Sequence, residues 1–197
     1  MPAMPGPVAD EKSSLLAFLN QQHQNFRTVA YGLTDDQARL APTASTLSVG
    51  ALIKHAAACE AGWVDRIAAA PGYPAADSVP FEEAAAAYAA QYRMSEADTL
   101  EGLLAALDEQ ERITETIVQA ADLDADVPVP RNAPWFPRDI EAWSVRWVLG
   151  HLIEELSRHA GHADIIRESV DGATWFELMA GIDGMAETPW LKPWQPA

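Results

Sequence analysis

Apolar residues recur at three- and four-residue intervals in four long stretches of the chain, and each stretch predicts an amphipathic helix. The first runs from about Asp10 to Tyr31, with Leu15, Leu16, Phe18, Leu19, Phe26 and Val29 as its apolar positions. The second starts after Thr46 and Ser48 and reaches about Ala70, carrying Val49, Leu52, Ile53, Ala56, Trp63 and Ile67. The third spans about Thr99 to Ala121, with Leu103, Leu104, Leu107, Ile113, Ile117 and Val118. The fourth extends from Ser144 to about Val170, and its apolar arc holds Val145, Val148, Leu149, Leu152, Leu156, Ala163 and Ile166. Gly32, Pro71-Gly72 and Asp171-Gly172 supply helix stops.

Shorter elements fill the gaps. Thr34 followed by Gln37 has capping-box spacing and predicts a single short turn of helix. The alanine-rich segment from Phe81 to Met94 predicts a short helix between the second and third. Asp122 to Trp143 contains four prolines and cannot be one continuous helix. No strand-like alternation of any length is present. The expected architecture is therefore all-α: a four-helix bundle over residues 1–174, with a long connection before its last helix. A Trp- and Pro-rich tail over residues 175–197 is expected to pack on it. The tail's Trp190-Leu-Lys-Pro-Trp194 either docks on the bundle, closes a pocket or reaches a second subunit, and a homodimer fits the amount of aromatic surface.

Composition narrows the partners. The chain has 197 residues and a formal net charge of −16, with 29 acidic against 13 basic side chains. Such a surface repels nucleic acid and anionic membranes, whose recognition needs clustered Lys and Arg. A small acidic substrate stays possible where a local Arg or a metal outweighs the global field. The single cysteine, Cys59, excludes an intramolecular disulfide and suits a reducing, cytoplasmic setting. No apolar run is long enough to span a bilayer, and the start of the chain lacks the basic-then-apolar order of a signal peptide.

The chemistry concentrates on the fourth helix. Of five histidines, His151, His159 and His162 lie there with Glu155, spaced to share one face. On a helical projection His159 falls inside the apolar arc and Glu155 at its edge, with His162 further out and His151 furthest; Glu154 points to solvent. A buried imidazole one turn from a half-buried carboxylate is costly unless something satisfies both, and a divalent metal does so. Hydrogen bonding is the commoner fate of a core histidine, and Glu155 can instead pair with Arg158 or His159. His55 on the second helix, beside the face carrying Leu52, Cys59 and Trp63, adds a third donor. His55, Glu155 and His159 would leave a metal with open positions, the style of a catalytic site. Cys59 is either a small buried hydrophobe or a fourth ligand. His23 has no partner near it in sequence and is expected at the surface or as core filler. Trp63, Trp135 and Trp147 are either packing or pocket lining.

The segments Ser48-Val-Gly-Ala-Leu-Ile-Lys-His55, Glu60-Ala-Gly-Trp63, Ser144-Val-Arg-Trp147, His151-Leu-Ile-Glu-Glu155 and Arg158-His159-Ala-Gly-His162-Ala-Asp164-Ile-Ile-Arg167-Glu168, then Asp171-Gly172-Ala173, together resemble the DinB-like superfamily. The likeness covers roughly residues 11–174 and is closest to the actinobacterial mycothiol transferases. It implies a metal-binding four-helix bundle with a long crossover connection. The superfamily's usual ligands are three histidines holding zinc or nickel. His55 and His159 match two of these, while Glu155 departs from the pattern and agrees with the His/Glu/His set of mycothiol-dependent maleylpyruvate isomerases. The resemblance further implies catalysis through the metal at His55, Glu155 and His159, and a low-molecular-weight thiol such as mycothiol as cofactor. Its thiolate would attack a small electrophile in an S-transfer or isomerisation. Arg158, His162 and Asp164 are the expected cofactor-binding residues, with Arg146 and Arg158 as candidates for a substrate carboxylate. The competing readings are a non-catalytic, metal-binding stress protein and a metal-dependent hydrolase using bound hydroxide.

Overall fold

The computed structural model describes residues 4–131 and 133–196. Met1–Ala3 of the Pro-rich start, Asn132 of the long connection and Ala197 of the tail lie outside the described residues. In chain order the elements are α1 (Glu11–Ala30), a short α2 (Asp35–Arg39), α3 (Val49–Ala69), α4 (Phe81–Gln91) and α5 (Leu100–Ala120). Two strands follow, β1 (Asp126–Pro128) and β2 (Ala142–Ser144), then α6 (Val145–Asp171) and α7 (Trp175–Ile182).

Each long helix begins where a short polar side chain can take up an orphan backbone donor. Asp10 accepts from Ser13, Ser48 from Ala51, Thr99 from Gly102 and Ser144 from Trp147; such caps are worth about 1 kcal/mol each. Thr34 and Gln37 form the full reciprocal capping box at α2. Gly172, with φ of 80°, ends α6 in the left-handed conformation that favours glycine.

α1, α3, α5 and α6 make the four-helix bundle. α1 packs on α6 and α5, and α3 packs on α5 and α6, so α5 and α6 sit diagonally and the segment joining them crosses the end of the bundle. The core is a continuous apolar cluster including Leu19 and Phe26 of α1, Leu52 and Ile53 of α3, Leu107 of α5, and Leu149, Leu152 and Leu156 of α6. The apolar arc expected on α6 is the buried one: Val145, Val148, Leu149, Leu152, Leu156, Ala163 and Ile166 all face inward.

The crossing segment corrects the expectation of no strand. β1 and β2 pair antiparallel with Val127 opposite Trp143. Three residues per strand are too few for an alternating pattern to show in sequence. The ladder has a positional consequence, because it delivers the chain to the first turn of α6. There the amides of Val145 and Arg146 donate to the carbonyls of Ala125 and Leu123, which satisfies two donors that a helix start would otherwise leave open.

The segment after Thr174 also begins as a helix, α7, with a capping box between Thr174 and Glu177. Its chain then returns so that the Trp194 indole covers the Arg167 guanidinium at 4.8 Å and meets the Tyr31 ring edge-on at 5.6 Å. Gly32, at φ of 71°, lies directly beneath that indole.

Candidate metal centre

α3 and α6 lie side by side, and their register brings His55 against Glu155 and His159. His55 is fully buried, one turn after Leu52 on the core face of α3. Its Nε2 is 3.4 Å from Glu155 Oε1, and His159 Nε2 approaches the same oxygen at 3.3 Å. The two imidazole centroids are 4.8 Å apart. Glu155 and His159 are one turn apart on α6, with side chains 21% and 11% exposed, so a shallow opening to solvent remains.

Cys59 joins this cluster, for the ligand atoms of His55, Cys59 and Glu155 all lie within 4.8 Å of one another. Its position one turn after His55 places sulfur beside two harder donors. Burial, with Glu155 and Glu60 nearby, pushes the thiol pKa up to about 12, so without a cation it is a neutral S–H. His159 is held below the usual imidazole range by burial and by the neighbouring His55, which keeps a neutral donor nitrogen available.

A third element, α4, covers His55; the sequence predicts its helix, but no local signal says that it lies over this site. Gln91, the last residue of α4, places Oε1 3.1 Å from His55 Nδ1. A carbonyl oxygen can only accept, so the proton sits on Nδ1 and the Nε2 lone pair points towards Glu155. Tyr92 stacks on the His55 ring at 4.2 Å and places its hydroxyl 3.1 Å from Nε2. That hydroxyl also contacts the Tyr88 hydroxyl at 2.9 Å. Burial and Tyr88 raise the Tyr92 pKa, so it stays protonated and can donate. The one trace that Tyr88, Gln91 and Tyr92 leave in the sequence is as polar and aromatic interruptions of an alanine-rich helix.

The donor set fits a divalent cation. With Nδ1 protonated, the His55 Nε2 lone pair can accept from the Tyr92 hydroxyl or, with that hydroxyl turned aside, face a cation shared with the Glu155 carboxylate. Two imidazoles, a carboxylate and a nearby thiol suit zinc or nickel in both ligand type and number.

The other nominated residues fall outside this cluster to differing degrees. His162 is exposed, with Nδ1 3.5 Å from His159 Nδ1. Arg158 is exposed. Asp164 stands nine residues beyond Glu155, about half a turn round the helix, and so projects from the opposite side of α6. Burial there raises its pKa to about 6. Arg146 is engaged by Glu11 and Asp124, tying α6 to α1 and to the segment before β1. His151 stacks on Trp147 at 5.3 Å and meets Trp63 edge-on at 4.9 Å. Trp63, Trp143, Trp147 and Phe136 continue that contact into an aromatic wall next to the cluster.

His23 is neither a surface residue nor inert filler. It is fully buried, with Nε2 2.5 Å from Glu60 Oε2 and Nδ1 3.8 Å from Glu111.

The family model for mycothiol-S-transferase matches residues 14–172, a span containing nearly all of the four long helices and every residue of the cluster. The chain belongs to the mycothiol-S-transferase family. A conserved protein of Enterococcus faecalis, known from a crystal structure, has the same fold. It superposes with a TM-score of 0.57 at 18% identity, over 84% of this chain and 100% of its own. No curated protein matches the chain. Among the described residues, no helix is long and apolar enough to cross a membrane. A mycothiol-S-transferase joins a small thiol to a second small molecule.

Proposed function

We propose that the chain is a metal-dependent transferase in which His55, Glu155 and His159 hold a divalent cation, zinc or nickel, and the thiol of mycothiol is the nucleophile. The observation that carries this reading is the convergence of His55 Nε2 and His159 Nε2 on a single oxygen of Glu155, at 3.4 and 3.3 Å. A divalent cation bound by these donors supplies the positive charge that keeps a thiol ionised at neutral pH.

The chain's own residues do the rest. Gln91 fixes the His55 tautomer and ring orientation from outside the cluster. The thiolate sulfur forms a bond to an electrophilic carbon as the bond to the leaving group breaks, and the leaving group departs with the electron pair. Where the electrophile is an epoxide, the electrons go to the ring oxygen. The protonated Tyr92 hydroxyl, with a cation in place of its contact to His55 Nε2, would be free to donate a hydrogen bond to that oxygen. Glu155 needs no proton-transfer role, since the thiol proton passes to solvent when the thiol binds. A cytoplasmic setting suits a reaction that consumes a reduced thiol, and the partners are that thiol and a small electrophile.

The test is consumption of mycothiol in the presence of 1-chloro-2,4-dinitrobenzene, followed as thioether absorbance and as loss of free thiol. Turnover should disappear when a chelator strips divalent metal and return when zinc or nickel is added back. Turnover indifferent to chelation and to His159→Ala overturns the metal-dependent reading.

A further inference from the structure

Two adjacent cavities open beside the cluster, and their linings differ sharply from the rest of this acidic surface. The inner one, about 180 Å3, reaches Cys59 and Trp63; the outer, about 320 Å3, lies under α4. They share Arg66, Tyr88, Gln91 and Phe136. Two of these shared residues bear on the site itself: Gln91 contacts His55 directly, and the Tyr88 ring lies 5.9 Å edge-on from it. A molecule seated in the outer cavity therefore borders the residues that cover the cluster.

The outer cavity is apolar and built for a ring. Ala84, Ala85 and Ala87 of α4 form one wall, and their small side chains leave the space open. The Phe81 and Trp135 ring centroids are 5.6 Å apart, and Trp135 continues to Phe136 at 6.0 Å. Trp135 is 65% exposed at the rim, a large aromatic surface turned to solvent. The combined volume of the two cavities suits a small organic molecule.

Charge decides which molecule. Among the described residues, Arg66 is the single charged side chain lining either cavity, and Asp77 already holds it in a two-pronged ion pair, at 2.8 and 2.6 Å. A paired guanidinium offers no free cation to a carboxylate, and the overall charge of −16 repels anions further. A polar thiol that binds through hydrogen bonds gains little from alanine and aromatic walls.

We infer that this double cavity is the acceptor subsite, and that it takes an uncharged electrophile carrying an aromatic ring. The inference rests on the thiol-transfer reading for its chemistry, while the binding claim stands on the cavity. In the reaction, sulfur bonds to the activated ring or benzylic carbon, the carbon–halogen bond breaks, and halide leaves with the electron pair.

The experiment compares Ala84→Phe, which fills the outer cavity, with Ala86→Phe, which adds the same ring on an exposed part of α4. Neither position is buried, so both variants should fold. The first readout is the ratio of kcat/KM for 1-chloro-2,4-dinitrobenzene over that for iodoacetamide, both with mycothiol. The ratio should fall about tenfold in Ala84→Phe, the order expected when a ring loses its apolar enclosure, and hold in Ala86→Phe. The second readout is tryptophan quenching by nitrobenzene without thiol, which reports binding alone. Its Kd should rise about tenfold in Ala84→Phe only. Unchanged nitrobenzene binding in Ala84→Phe, or equal losses in both variants, overturns the subsite. If the wild-type protein consumes neither electrophile, the transferase reading fails, and the nitrobenzene arm still decides the cavity.

Discussion

The buried pair between His23 of α1 and Glu60 of α3 should make stability fall as the solution turns alkaline. Glu60 is fully buried, takes a hydrogen bond from Thr114, and shares His23 with Glu111. Burial opposes a charge on His23, but Glu111 and Glu60 outweigh it and raise its pKa from the ordinary 6.5 to about 9. Below pH 6.5 the imidazole is protonated in both folded and unfolded chains, and the pair's full contribution is present. Between 6.5 and about 9 only the folded chain holds the proton, so stability drains away as pH rises. The displacement corresponds to about 3 kcal/mol, lost almost entirely by the upper end of that window. Glu111 behaves oppositely: His23 and Arg27 overcome its burial and lower its pKa from 4.5 to about 2. Its share is present above 4.5 and lost as pH falls towards 2. Urea unfolding across pH 5 to 10 should thus show a decline through the His23 window. That decline should be absent in His23→Gln, and an NMR titration should place the His23 imidazole near 9. A flat profile, or an equal decline in the variant, refutes the reasoning. The pair also matters to the site, because Glu60 is adjacent to Cys59 and fixes α3 against α1.

Other consequences can be checked by single substitutions. His159→Ala should lower bound zinc from about one per chain to well below it, by elemental analysis, since it removes one of three donors. Arg167→Leu should destabilise the fold by about 3 kcal/mol in denaturant unfolding. That guanidinium is fully buried and donates to the carbonyls of Val29 and Tyr31 as well as to Asp171. Gly32→Ala should cost about 1–2 kcal/mol from its positive φ alone. Its Cβ would also lie 2.5 Å from the Trp194 ring, so protease sensitivity of the tail should rise.

How far the sequence could be read depends on the range of each interaction. The α6 arc, the Thr34 capping box and the Glu155/His159 spacing are local, each confined to a single helix, and the order of residues alone makes them legible. The pairing of His55 with Glu155 spans 100 residues, and what made it accessible was a resemblance on top of two helical faces. His23 and Glu60 are 37 residues apart on different helices, so neither betrays the other. The placement of α4 over His55 was hidden for another reason. Its helicity follows from alanine content, but which residues it lays over His55 depends on loops whose course has no periodic signature. Cys59 illustrates the same gap: its helical phase places it beside His55, but only the approach of α6 brings a carboxylate to both.

Anomalous diffraction from crystals grown with zinc and mycothiol tests the central claim most directly. The account predicts one strong peak bonded by His55 Nε2, a Glu155 oxygen and a His159 nitrogen, with the mycothiol sulfur at about 2.3 Å from it. A peak bound elsewhere, or none, or mycothiol seated with its sulfur away from these three residues, contradicts it.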